Sequence, residues 1–237
     1  MKNKDKSLQK PSSRSEIDAF LENVASTATI KPAGKQGRLI FAMDATASRE
    51  PTWDYAAHIQ AQMFNQTSKL GGLEIQLCYF RGFGEFQAFP WMNNSQQLLK
   101  AMTSVFCEAG HTQIEKVLQH AIKETQGEKV DALVFVGDCM EEDVDRLGQL
   151  AGELGLHGVP IFIFHEGGEA VAARAFKQIA RLSKGAYCLF DSHSPQQLLE
   201  LLSAVAVYAA GGHKALTDYS QNAGKLARQL NHQIEKL

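Results

Sequence analysis

The chain has 237 residues, 44% of them hydrophobic and 21% charged, with a formal net charge of -2. That length suits one ordinary domain with terminal segments, or two small domains, and the apolar share is enough to bury a sizeable core. A charge so near neutral supplies no concentrated basic excess, which argues against a nucleic-acid or anionic-membrane surface.

The first ten residues hold four lysines and one aspartate. They read as a solvated tail and lack the apolar run of a secretory leader. Ser15 can cap a short helix in which Ile17, Phe20, Leu21 and Val24 share one side. Lys31-Pro32-Ala33-Gly34 reads as a linker. Residues 1–37 are therefore expected to form an N-terminal tail with one amphipathic helix.

From Arg38 the chain alternates short apolar runs with longer amphipathic ones, the pattern of an α/β domain. Strands are expected at Leu39 to Met43, Leu73 to Phe80, Glu85 to Phe89, Ala132 to Val136, Pro160 to Phe164 and Ala186 to Phe190. Helices are expected at Trp53 to Leu70, Ser95 to Phe106, Gln113 to Thr125, Asp143 to Leu154, Glu169 to Leu182 and Pro195 to Tyr208. Only Arg81-Gly82-Phe83-Gly84 separates the second and third strands, a connection that demands an antiparallel pair, whereas helical crossovers demand parallel ones. Runs such as Val134-Phe135-Val136 and Ile161-Phe162-Ile163-Phe164 are apolar without alternation, so helices should cover both faces. The expected fold class is a three-layer αβα architecture around a six-stranded, mostly parallel sheet with one antiparallel edge strand, spanning 38–212. Beyond Gly211-Gly212, Leu226, Leu230, Ile234 and Leu237 suggest a C-terminal amphipathic extension over 213–237.

The longest apolar stretch, Leu198 to Ala210, is short for a bilayer and interrupted by Glu200. Cys78, Cys107, Cys139 and Cys188 are widely spaced without a C-x-x-C pair, and three sit within or beside apolar runs. Neither a zinc cluster nor a disulfide framework is implied, and a reducing cytoplasm fits best.

The first strand delivers Asp44-Ala45-Thr46-Ala47-Ser48, three oxygen-bearing side chains at every second position. Such a set can converge on one hard cation. The same residue types open helices, and Pro51 sits where a first helical turn tolerates it, so a capping role stays open. In an open α/β sheet ligands bind beyond the carboxyl ends of the strands. Asp138, following Ala132 to Gly137, and Thr112, in Gly110-His111-Thr112, belong to that same edge. Two carboxylates and three hydroxyls suit Mg²⁺ or Mn²⁺ and are poor for zinc.

With these residues in place, the chain resembles a von Willebrand factor A domain with its metal-ion-dependent adhesion site, over roughly Arg38 to Ala210. The family's D-x-S-x-S motif matches Asp44, Thr46 and Ser48, its separate threonine matches Thr112, and its later aspartate matches Asp138. Thr46 departs from the commoner serine, which keeps the donor oxygen but restricts its rotamers. The resemblance implies a divalent metal and a protein partner that contributes a Glu or Asp to it, without catalysis. Similar stand-alone microbial domains partner with ATPases or stress-response complexes.

Other readings of the same residues exist. Thr112 and Glu115 also fit a capping box, Asp138 can cap a helix opening near Cys139 or Glu141, and Glu141, Glu142 and Asp143 can form a solvated first helical turn. Arg49, Trp53, Phe83 and His111 can reach a ligand at the rim, although packing or solvent exposure is the commoner fate of such residues. His58, His120, His157 and His165 show no ligand spacing. The enzyme alternative is a Mg²⁺-dependent phosphohydrolase of haloacid-dehalogenase type with Asp44 as nucleophile, but Thr46 stands where its general acid belongs. A metal-free scaffold on the same fold is the third class. No glycine-rich phosphate loop follows a strand.

Overall fold

The computed structural model describes residues 36–67, 70–190 and 195–235. The helix expected around Ser15 to Val24, the linker at Lys31 and the terminal Leu237 lie outside them.

Six strands form one sheet: β1 (Gly37–Asp44), β2 (Leu73–Arg81), β3 (Glu85–Ala88), β4 (Ala132–Gly137), β5 (Ile161–Glu166) and β6 (Ala186–Phe190). Their spatial order is β3-β2-β1-β4-β5-β6. Among the described strands only the β2–β3 pair is antiparallel, with Phe80 opposite Phe86 and Arg81 opposite Glu85. The turn between them uses Gly82 and Gly84 at φ 55° and 124°, backbone conformations that an L side chain disfavours. The αβα layering and the antiparallel edge agree with the sequence expectation.

Why both faces are covered is visible along β1. All eight of its residues are buried. Leu39, Phe41 and Met43 face one helical layer, in which Trp53, Met63, Leu98, Met102, Leu201 and Val205 are packed. Ile40 and Ala42 face the other, built with Val117, Leu118, Leu147, Leu150, Phe176 and Ile179. Each large aliphatic or aromatic side chain so buried contributes roughly 1.5 to 3 kcal/mol.

The first layer holds α1 (Glu50–Ile59), α2 (Ala61–Thr67), α3 (Ser95–Thr103), α7 (Pro195–Asn222) and α8 (Lys225–Glu235). The second holds α4 (Ile114–Gly127), α5 (Val144–Leu156) and α6 (Ala170–Leu182). Local chemistry sets several helix starts. The Asn94 side chain accepts the Gln97 amide of α3, Asp143 accepts the Arg146 amide of α5, and Glu169 accepts the Val171 and Ala172 amides of α6.

Two helical expectations change. The single helix expected from Trp53 to Leu70 is two, separated at the buried Gln60, and the first opens earlier, at Glu50, with Pro51 in its first turn. The helix expected to end at Tyr208 continues to a kink at Gly212, whose φ of 72° only glycine adopts at low cost, and a second helical stretch follows to Asn222. After it, α8 packs Ala227 and Leu230 into the first layer, with Ile234 against it.

At the sheet's β6 edge, the Gln233 side chain accepts the Tyr187 amide at 2.9 Å and donates to the Tyr187 carbonyl at 2.8 Å. A side-chain amide thus takes the place of a neighbouring strand, and the edge is partly withdrawn from pairing with other chains.

Because Leu230 is fully buried against this layer, Leu230→Ala is expected to cost about 2 to 5 kcal/mol. Urea denaturation of the full chain measures it.

Candidate metal centre

β1 and β4 are neighbours that continue in opposite directions across the sheet, so a crevice opens beyond their carboxyl ends. In register, Met43 lies beside Val136 on β4, and Gly137 lies beside His165 on β5. Three carboxylates therefore stand at the ends of three adjacent strands: Asp44 as the last residue of β1, Asp138 directly after β4 and Glu166 as the last residue of β5. Asp44 and Glu166 are buried at 1% and 5% exposure.

The turn after β1 begins with Asp44 Oδ1 accepting the Thr46 amide at 2.7 Å. That bond turns the chain back over the strand end and brings the next two donors together, Thr46 Oγ1 and Ser48 Oγ lying 3.4 Å apart. Ser48 Oγ donates to Asp138 Oδ2 at 3.3 Å. Thr46 precedes the short 3-10 turn Ala47–Arg49 without a side-chain cap, so these hydroxyls do not serve as helix caps.

Thr112 arrives from another direction. Its buried side chain accepts the Glu141 amide at 3.0 Å, while its own amide donates to Glu141 Oε2 at 3.2 Å. The loop around it is tied down by Glu108 N to Ala45 O at 2.9 Å and His111 N to Gly82 O at 3.1 Å. This approach explains Gly110, because a Cβ there would lie 2.0 Å from the Gly82 carbonyl oxygen. The structure thus links Asp44, Thr46, Ser48 and Asp138 directly and ties Thr112 to the Asp138 loop.

The capping alternatives are not realised. The helix after Thr112 opens at Ile114 with Gln113 at its cap position and no side-chain cap bond. No helix opens at Cys139 or Glu141; α5 starts at Val144, capped by Asp143. The acidic run is not a first helical turn either. Glu142 Oε1 instead accepts the Glu115 amide at 2.7 Å, supplying negative charge to the start of α4 from a separate loop. Hydrogen bonds from the Thr112 amide and His111 hold the Glu141 carboxyl below its ordinary range.

Among the rim residues, Trp53 is core: it is 3% exposed and its Nε1 donates to the Met102 carbonyl at 2.9 Å. Arg49 is buried as well. Its guanidinium pairs with Asp138 Oδ2 at 3.1 Å and with Glu166, which also accepts from the Thr52 hydroxyl. Phe83 and His111 remain at the surface, in edge-to-face contact 5.2 Å apart. His165 is fully buried; its Nε2 faces the Asp138 carbonyl at 2.9 Å and its Nδ1 the Tyr187 hydroxyl at 2.8 Å. A carbonyl only accepts, so Nε2 carries the proton and the ring anchors the Asp138 backbone.

Sequence reasoning missed Glu166, Cys139 and the anchoring role of His165. Glu166 and His165 directly follow an apolar strand, the same signal that marked Asp138. Cys139 lies close in: its sulfur and one carboxylate oxygen from each of Asp44 and Asp138 are all within 4.8 Å of one another. Burial and then the Asp138 and Asp44 charges push its thiol up to about 12.

The residues fit a divalent cation on two observations. Asp44 Oδ2 and Asp138 Oδ1 are buried without a hydrogen-bond partner among the described residues, a costly state for carboxylate oxygens unless a cation meets them. Burial also pushes the Asp44 carboxyl up from 3.8 to about 6, opposed by Thr46 hydrogen bonds and reinforced by the Asp138 charge.

That shift has a direct consequence for the metal-free protein. Between the two values the folded state retains a proton that the unfolded chain has released, so stability falls as pH rises through this window. The loss should be on the order of 2 to 3 kcal/mol, and Asp44→Asn should abolish it. Denaturation in chelator at several pH values between 4 and 7, about the span of both values, reads it. The Arg49 pair makes a second prediction: Arg49→Ala strands Glu166 and should cost roughly 3 to 5 kcal/mol, part of it recovered by adding Glu166→Gln. Chemical denaturation of the single and double variants checks this.

No protein-family model and no curated protein sequence matches the chain. Solved structures do. One is a von Willebrand factor type A protein from Catenulispora acidiphila, at TM-score 0.60 and 11% identity, covering 73% of this chain and 43% of that one. Another is proximal thread matrix protein 1 of the mussel byssus with a zinc-occupied metal-ion-dependent adhesion site motif, at TM-score 0.61 and 17% identity, covering 81% and 52%. The von Willebrand factor A domain of SpRpn10 aligns at TM-score 0.52 and 18% identity, covering 75% of this chain and 98% of that domain. The chain thus spans under half of the first relative and about half of the second. At these identities the likeness establishes the fold, which is that of a von Willebrand factor A domain.

Proposed function

We propose that residues 38–212 form a metal-dependent protein-binding module, an adaptor that captures an acidic side chain of a partner through a divalent cation. The observation that carries this reading is the pair of buried, unpartnered oxygens, Asp44 Oδ2 and Asp138 Oδ1, beside the turn where the Thr46 and Ser48 hydroxyls meet. Asp44, Thr46, Ser48, Thr112 and Asp138 are the donors, and their hard oxygens favour Mg²⁺ or Mn²⁺. Bound there, such an ion supplies an electrophilic position open to a Glu or Asp carboxylate from outside.

The chain's own residues prepare that position. Ser48 is exposed at the mouth and Asp44 buried at the base, so a ligand approaches from the Ser48 side. Arg49 neutralises part of the charge on Asp138 and Glu166, which keeps the centre from repelling an acidic partner. His165 and Glu141 hold the two outer loops, through the Asp138 carbonyl and the Thr112 hydroxyl.

A phosphohydrolase reading is less well supported, because Thr46 has no acidic proton to give a leaving group and its hydroxyl faces Ser48. The module acts in the cytoplasm, on a partner such as an ATPase or a stress-response complex. Among the described residues no helix is long and apolar enough to cross a membrane.

Calorimetric Mg²⁺ or Mn²⁺ titration tests the site. Asp44→Ala and Asp138→Ala should each abolish binding and retain a cooperative melt, because both residues sit at strand ends. Thr112→Ala should weaken binding roughly ten- to hundred-fold and cost about 1 kcal/mol of stability through its lost bond to Glu141. Capture of a partner that persists in chelator, or in Asp44→Ala, would overturn the adaptor reading.

A further inference from the structure

The four cysteines divide by environment. Cys78, Cys107 and Cys188 pack within or against the two hydrophobic layers, as small apolar residues do. Cys139 belongs to neither layer. It is half-buried beside the carboxylates of Asp44 and Asp138, an odd place for a side chain whose only role is packing.

We propose that Cys139 is a metal ligand, and that it makes this centre able to take zinc as well as a hard ion. The inference rests on the metal-site reading above and concerns which metals the site accepts. The sulfur and the two carboxylate oxygens lie within 4.8 Å of one another. Ligands of one tetrahedral zinc sit roughly 3.5 Å apart, given bond lengths near 2.0 Å to oxygen and 2.3 Å to sulfur. Rotation of side chains that already face one another closes that difference. Asp44, 1% exposed, also keeps an unpartnered oxygen within the same crevice.

On binding, the Cys139 thiol releases its proton to solvent and the thiolate bonds to the metal. The donor set then combines a soft sulfur with hard oxygens. Thiolate favours zinc and cobalt and adds little for Mg²⁺, so Cys139 sets metal choice where the oxygens alone do not. With Asp44, Asp138 and Cys139 all anionic, the nearby Arg49 guanidinium at 3.1 Å from Asp138 offsets part of the charge that the dication leaves uncompensated.

The test uses the full chain, titrated separately with Zn²⁺, Co²⁺ and Mg²⁺, as wild type, Cys139→Ser, Cys107→Ser and Asp44→Ala. Cobalt-loaded wild type and Cys107→Ser should show a near-ultraviolet thiolate-to-cobalt charge-transfer band that Cys139→Ser lacks. Zinc affinity should fall about tenfold or more in Cys139→Ser, with Mg²⁺ affinity unchanged. Should that variant fail to fold, zinc protection of wild-type Cys139 against alkylation, read by mass spectrometry, replaces it. A cobalt complex without the band, zinc affinity unchanged in Cys139→Ser, or no zinc protection overturns the proposal. Mg²⁺ binding that depends on Asp44 without a cobalt band leaves the adaptor site standing and removes only this inference. A Cys139-dependent band without Mg²⁺ binding keeps Cys139 as a ligand but overturns the claim that the centre also takes a hard ion, and a chain that binds no metal overturns both readings.

Discussion

Carboxylates at the ends of three neighbouring parallel strands repel one another, and the centre is organised around that repulsion. Asp44, Asp138 and Glu166 are brought together by strand order alone, since β1, β4 and β5 are adjacent and point the same way. Arg49 answers two of the three, lying between Asp138 and Glu166 with the Thr52 hydroxyl as a further donor. Asp44 does not share that compensation equally. Its Oδ1 takes the Thr46 amide, while its Oδ2 has no partner among the described residues. An ion network with Arg49 on one side holds its loops in place and leaves Asp44 Oδ2 and Asp138 Oδ1 without partners among the described residues.

The open side is bounded by loops that depend on one another. The segment containing Thr112 rests on Ala45 through Glu108 and on Gly82 through His111, and it closes on the Asp138 loop through Glu141. Gly110 permits the approach to Gly82 and Glu142 steadies the start of α4. The acidic run after Cys139 thus serves as inter-loop bonding rather than as free negative charge beside the site. Exposed side chains remain around it, among them Phe83 and Phe106 at 85% and 75% exposure. Large apolar side chains left in water near a recognition site often contact a partner.

The far side of the sheet follows a different logic. There α8 fills the first helical layer with Leu230 and blunts the β6 edge with Gln233. Stability resides in these strongly buried layers, and the proposed metal centre lies at the strand ends and loops beyond them. Such a division lets a recognition site carry uncompensated charge without endangering the fold.

Much of the architecture was legible in the chain. Unbroken apolar runs such as Ile161 to Phe164 meant strands covered on both faces, and the short Arg81-to-Gly84 connection meant an antiparallel edge, because local geometry leaves no other solution. The candidate donors Asp44, Thr46, Ser48, Thr112 and Asp138 could be named from the chain, each standing at a strand end or in a loop on one edge of the sheet, and the structure groups the first three with Asp138 by hydrogen bonds. Helix limits were less so: Gln60 is not a strong breaker, and the stretch expected to end at Tyr208 runs on to the Gly211-Gly212 pair, where a kink separates it from a second stretch ending at Asn222. Of the residues read as possible rim contacts, Trp53 took the commoner fate of packing in the core and Arg49 is a buried counter-ion, while Cys139, for which spacing implied no zinc cluster or disulfide, lies beside two carboxylates. By itself, then, the sequence determined which segments become strands and helices and which oxygens stand at their ends, since these follow from periodicities of a few residues. Tertiary structure alone decided which polar and charged groups meet: Ser48 reaches Asp138 across 90 positions of chain and Thr52 reaches Glu166 across 114, and electrostatics acts through distance in space, which spacing along a chain does not encode.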